Sequence, residues 1–186
     1  MKELSLNILD ISENSCKAGA SLIEILLFED IETLTLIIKD NGCGMTDDVL
    51  KSISDPFYTT RTTRKVGMGI PLLKLAAEMT GGEVNITSKH ESISSDHGTV
   101  VKAIFYKKHI DYTPLGDVIS SISTLIQGHP DRDFVFNHKF GNAEVALDTR
   151  ELRTVLEDVP LDTFEVLIWI RENLTEQYDG FNINQK

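Results

Sequence analysis

Three groups of residues, far apart along the chain, have types and spacings that could do chemistry. Asp10, Asn14 and Lys17 fall four and three residues apart, which lines them up as one polar stripe on a helix. An Asn side-chain oxygen suits Mg²⁺, a carboxylate one turn earlier can hold or deprotonate a water, and a cation one turn later can meet phosphate oxygens. A solvated helix face is the plain alternative for this stripe taken alone. The second group is Asp40–Asn41–Gly42–Cys43–Gly44–Met45, where Asp40 can accept a hydrogen bond from an exocyclic amine such as adenine's and Gly42 and Gly44 let backbone approach the base. An acidic residue followed by glycines is also ordinary turn chemistry. The third is Gly67–Met68–Gly69–Ile70 leading into a helix with Lys74, preceded by Arg61, Arg64 and Lys65. A helix N-terminus with basic residues beside it can gather phosphates, although a short basic loop is also simply soluble.

The elements that must position these groups follow from periodicity and punctuation. Leu4, Ile8, Ile11 and Ser15 share one face of a helix over Glu3 to Ala18 that Gly19 ends. Ser21–Phe28 and Thr33–Lys39 read as a hairpin around the turn Glu29 to Glu32, and Thr46 can cap a short helix with Asp47 and Asp48 in its first turn. Residues 54–69 read as irregular loop. Pro71 suits the start of a helix running through Met79 to Gly81–Gly82, and Glu83–Ser88 and Thr99–Tyr106 are strands around a polar loop. The order helix, strand, strand, helix, helix, strand, strand predicts an α+β sandwich with helices on one face. After a boundary over Lys107 to Pro114, a helix is expected over 115–127, a hairpin over 133–148 and helices near 149–157 and 163–177, with Asp179 to Lys186 frayed.

The 186 residues allow one ordinary core and an appendage, and 41% hydrophobic with 25% charged residues excludes the disordered and collagen-like classes. The net charge of -11 disfavours nucleic acid and anionic membrane as partners. Residues 1–108 hold 12 basic and 15 acidic groups, a net of -3, and 109–186 hold 6 and 14, a net of -8. No signal-peptide core and no membrane-length apolar run is present, and Cys16 and Cys43 lack metal-ligand spacing, so reduced thiols in the cytoplasm are expected.

In this order the motifs resemble the ATP-binding domain shared by histidine kinases, DNA gyrase, MutL mismatch-repair proteins and related heat-shock chaperones, the GHKL superfamily. Asp10 to Ala20 is similar to its asparagine box, Asp40 to Gly44 to its first glycine box, Asp55 to Thr60 to the kinases' phenylalanine box and Gly67 to Lys74 to the second glycine box. Gly81–Gly82–Glu83–Val84 and His97–Gly98–Thr99–Val100–Val101 also look like the kinase version. The resemblance implies a Bergerat-type two-layer α/β sandwich over residues 1–108, with a smaller acidic α+β extension of unknown role over 109–186. It implies ATP and Mg²⁺ as cofactors, with Asn14 on the metal, Asp40 on adenine, and Gly42, Gly44, Gly67 and Gly69 shaping the pocket. Lys17 and Lys74 are further phosphate-contact candidates, and Asp10 stands where gyrase and MutL carry a glutamate base.

The asparagine box resembles MutL, whereas the phenylalanine box and short lid resemble the kinases. The strand that usually precedes the first helix in the kinase domain is missing, so helix 115–127, helix 163–177 or a second subunit is expected to cover that sheet edge. None of the five histidines stands in a phosphoacceptor context, and each reads as a surface or packing residue. The expected function is therefore an ATP- and Mg²⁺-binding regulatory switch, an ATPase or protein kinase lacking its own phosphoacceptor domain, with a protein partner or homodimer. The alternatives are a nucleotide-sensing binding module and an anti-sigma-type serine kinase.

Overall fold

A computed structural model of the chain describes residues 3–54 and 69–183. Its helices are α1 (Leu4–Lys17), α2 (Asp47–Ser54), α3 (Gly69–Met79), α4 (Val118–Gly128), α5 (Thr149–Leu156) and α6 (Phe164–Ile183). Its strands are β1 (Leu22–Glu29), β2 (Thr33–Asp40), β3 (Glu83–Lys89), β4 (Gly98–Tyr106), β5 (Asp133–Phe140) and β6 (Ala143–Asp148). The expected mixed α+β order holds. Helix 115–127 begins later than expected, at Val118, because Asp117 accepts the Ser120 amide at 2.9 Å and so caps the helix there. The C-terminal helix runs on to Ile183 instead of fraying after Tyr178, since Leu174 is buried and Tyr178 packs on the core.

The strands form one six-stranded sheet in the order β3-β4-β2-β1-β5-β6. Alternation of side chains in each strand aligns a row of apolar residues across it: Ile86, Val101, Ile38, Ile25, Phe136 and Leu147 are neighbours in register. Val101, Ile38, Ile25, Phe136 and Leu147 in that row are buried, and the helices cover their face of the sheet. α3 packs on β3 and β4, α1 on β1 and β2, and α6 on β6, with α4 between α1 and α6. Burying one face of the sheet against a single helical layer gives the two-layer sandwich.

The edge expected to be covered by a helix or a second subunit is instead taken by a strand. β5 pairs in parallel with β1 from Leu22↔Asp133 to Glu29↔Phe140, so a strand from the C-terminal part of the chain occupies that edge of β1. The physical reason is hydrogen bonding: a strand satisfies the amides and carbonyls along the whole of an open edge, whereas a helix reaches them only through individual side chains. β6 then becomes the edge, and α6 partly closes it, because the Gln177 amide donates to the Ala146 carbonyl at 3.1 Å and accepts the Ala146 N–H at 2.8 Å.

At the far end of β1 a buried polar network ties the added strand and α6 to the first hairpin. His138 is 2% exposed and donates from Nε2 to Glu29 at 2.9 Å, and its Nδ1 is hydrogen-bonded with the Tyr178 hydroxyl at 3.0 Å. Lys107 donates to the other Glu29 oxygen and lies over the Phe140 ring. Burial alone pushes the Glu29 carboxyl up, but the hydrogen bonds from His138 and Lys107 and the Lys107 charge outweigh it and hold it below its ordinary 4.5. A carboxyl lowered on folding contributes stability above the unfolded value and loses it as pH falls through the folded one. Glu29→Gln is therefore expected to cost about 1–3 kcal/mol at pH 7. It should also flatten the loss of stability below about pH 4.5 in urea titrations. An unchanged acid slope would show that the carboxylate does not hold this corner.

Candidate functional site

The site is built around α1, which faces the sheet on one side and α3 on another. Its start is held by backbone, since the Leu4 and Ser5 amides donate to the Pro114 and Leu115 carbonyls at 2.9 and 2.8 Å. Its end is set by Gly19 at φ 78°, after which the chain enters β1. The inward residue Ser15 donates its hydroxyl to Asp40 Oδ2 at 2.7 Å. Asp40 is the last residue of β2, and its other oxygen accepts the amides of Gly42 at 2.9 Å and Thr99 at 3.2 Å. Three donors from α1, the following loop and β4 thus fix a half-buried carboxylate. Each carboxylate oxygen has about two lone-pair sites, so capacity remains for a further donor.

The loop after Asp40 is held equally closely. The Cys43 amide donates to the Ala18 carbonyl at 2.9 Å, and His97 Nδ1 donates to the Gly42 carbonyl at 2.6 Å. Gly44 has φ 67°, and a Cβ there would stand 2.0 Å from the Lys89 carbonyl oxygen, so only glycine lets the loop pass the end of β3. The Met45 amide completes the contact by donating to Ser88 Oγ at 2.8 Å.

On the other side of α1, the first residue of α3 abuts Asp10. A Cβ on buried Gly69 would lie 2.9 Å from the Asp10 Cβ, so the glycine lets the N-terminus of α3 approach the polar stripe. Pro71 occupies the first turn of α3, where a missing N–H costs nothing. The Asp10 and Asn14 side chains make no hydrogen bond among the described residues, and Asp10 is exposed while Asn14 is half-buried. At about 1.5 Å of rise per residue, Ser15 lies roughly 7 Å from Asp10 along the axis, so one helix sets the spacing between the two ends of the site.

The structure therefore brings Asp10, Asn14 and Gly69 together on one side, and Asp40, Gly42 and Gly44 on the other. Lys17 is exposed at the last residue of α1, and Lys74 on α3 stands 3.8 Å from Glu78. Gly67, together with Asp55 to Thr60, Arg61, Arg64 and Lys65, lies outside the described residues. Among the described residues no group of three His, Cys, Asp or Glu side chains could hold a metal. The donor set is a single neutral amide oxygen beside one carboxylate, which fits Mg²⁺ only as an ion that keeps most of its oxygens from water and phosphate.

Three residues visible in the sequence turn out to be partners of the site that sequence reading does not assign. Ser15 carries a signal only in hindsight, since the inward face of α1 also buries Ser5, Asn7 and Ser12, and nothing local singles out Ser15 among them. The Thr99 amide and His97 come from the strand and loop 55 or more residues beyond Asp40 and Gly42, and local spacing does not predict such a contact. Cys16 is buried, and that burial pushes its thiol up to about 11, the behaviour of a packing residue.

Known proteins share parts of this sequence and this fold. Sporulation kinase E of Bacillus subtilis strain 168 is 30% identical over 89 residues, which is 48% of this chain and 12% of that protein. Sporulation kinase A of the same organism is 28% identical over 108 residues, 58% of this chain and 17% of that protein. The chain thus spans less than a fifth of the length of these curated relatives. The Aquifex aeolicus MutL ATPase domain complexed with ADP superposes with a TM-score of 0.51 at 12% identity, over 84% of this chain and 70% of that one. That share exceeds residues 1–109, so the likeness in fold reaches into the C-terminal strands and helices. No described helix is long and apolar enough to cross a membrane. The family profile for histidine kinase-, DNA gyrase B- and HSP90-like ATPases matches residues 1–109, more than half of the chain, and the protein belongs to that family.

Proposed function

We propose that the chain binds ATP and ADP at the Asp40 end of α1 and acts on the terminal phosphate at the Asp10 end, as a phosphoryl-transfer switch that works with a protein partner. The observation that carries this reading is the Asp40 carboxylate, aimed by Ser15, Gly42 and Thr99 and still able to accept. An exocyclic amine is the donor that such a fixed acceptor reads, and Gly42 and Gly44 keep side chains away from the base. The family membership and the fold shared with an ADP-bound MutL domain support the same assignment.

The phosphates would then lie toward α3, where Gly69 opens its helix N-terminus and the helix dipole favours negative charge. Gly67, two residues earlier in the sequence, is a further candidate for shaping the pocket, and Lys17 at the last residue of α1 and Lys74 on α3 are candidate phosphate contacts, with Lys74 exchanging Glu78 for phosphate. Asn14 would hold Mg²⁺, which offsets phosphate charge when it arrives with the nucleotide. Asp10, one turn before Asn14, orients a water or a partner's hydroxyl and takes its proton. The oxygen forms a bond to the γ-phosphorus while the bond to the bridging oxygen breaks and ADP leaves.

Two measurements test the reading. Asp40→Asn should weaken ADP binding in calorimetry by roughly tenfold to a hundredfold, the value of a charge-assisted hydrogen bond of about 1.5–3 kcal/mol. Unchanged affinity would remove the base-reading role. Asp10→Asn keeps the shape and loses the base, so ATP affinity should hold while turnover falls at least about a hundredfold. Equal turnover in the variant would make Asp10 a solvated helix residue, and a wild type that binds ATP without hydrolysis or transfer would make the protein a nucleotide sensor.

A further inference from the structure

We propose that the outer face of α6 is a docking surface for a positively charged amphipathic helix of another protein. The inner face of α6 buries Val166, Ile170 and Leu174 against the core, which accounts for one side of the helix only. On the other side Phe164 is 71%, Ile168 38% and Trp169 48% exposed. Phe164 and Ile168 stand one turn apart and form a ridge, and Trp169 is exposed about 100° further round the helix. Several large apolar side chains exposed on one well-formed helix mark an interaction surface.

The charge around them decides what can sit there. Glu165, Glu172, Glu176 and Asp179 are all exposed on α6 between and beyond the apolar residues. Arg171 is the one basic residue of the helix, and its charge acts on Asp117 at the start of α4. Nucleic acid and anionic lipid are repelled by this face. A second copy would bring the same carboxylates and a net charge of -11 against it. A basic amphipathic helix supplies an apolar ridge for Phe164, Ile168 and Trp169 and cations for the carboxylates. Because α6 packs on β6 and α3 on β3 and β4, at opposite ends of the sheet, a partner seated there leaves the Asp40 loop uncovered. The proposal stands independently of the nucleotide reading, since it uses no residue of that site.

Trp169 is the only tryptophan of the chain, so its emission reports this face directly. The full chain is titrated with a synthetic leucine/lysine amphipathic helix about five turns long and free of aromatic residues. A saturable blue shift is expected, with affinity falling at least about tenfold from low salt to about 1 M, where the screening length shrinks to about 3 Å. A leucine/glutamate peptide of the same length should leave the emission unchanged. Phe164→Ser with Ile168→Ser, and separately Glu172→Lys with Glu176→Lys, should each weaken binding at least about tenfold with unchanged far-ultraviolet circular dichroism. If the first pair unfolds the protein, the charge pair decides. The proposal is overturned by unmoved Trp169 emission, by equal binding of the two peptides, by binding to anionic vesicles, or by self-association that the α6 substitutions abolish.

Discussion

The hydrogen bond from Ser15 to Asp40, at 2.7 Å, joins the helical layer to the end of the central hairpin, and the geometry of the site hangs on it. The same carboxylate gathers the amides of Gly42 and Thr99, so α1, the loop after β2 and β4 meet at one half-buried negative charge. Charge-assisted bonds of this kind are shorter and about twice as strong as neutral ones, which favours a single orientation of the acid. Because Asp10 and Asn14 ride on the same helix as Ser15, fixing Ser15 also fixes where they face α3. The two ends of the candidate site are thereby set by one rigid helix rather than by two loops.

That rigidity needs a sheet with protected edges. β5 takes the open side of β1 in parallel, and the Gln177 side chain pairs with the exposed backbone of Ala146 on the new edge strand. The buried cluster of Glu29, His138, Lys107 and Tyr178 then locks the added strand, α6 and the exit of β4 to the first hairpin. Residues beyond 109 are in this sense part of the sheet that carries the site, although the family match ends there.

Much of this was legible in the sequence, and for local reasons. The 3.6-residue period of Leu4, Ile8, Ile11 and Ser15, the alternation in β1, β2 and β5, and the stops at Gly19 and Gly81 are properties of neighbouring residues, and they located the elements closely. The Asp40 loop announced itself by composition. What did not show was pairing at long range. The alternation Phe134, Phe136, His138 states that β5 has one buried face, but nothing in it names β1, over a hundred residues earlier, as its neighbour. His138 read as a surface or packing residue, and its bonds to Glu29 and Tyr178 emerge only once that pairing exists. Ser15 was visible as part of the inward face, yet its target lies 25 residues on, at the end of a strand whose register must be known first.

The central claim is that Asp40 reads an amine on the base, and the most direct test compares ADP with inosine diphosphate on the unaltered protein by calorimetry. Inosine puts a carbonyl oxygen where adenine has its amine, so the carboxylate would face an acceptor instead of a donor. ADP is expected to bind at least about tenfold more tightly, the least that one charge-assisted hydrogen bond of about 1.5 kcal/mol confers. Equal affinity for the two nucleotides would contradict the account.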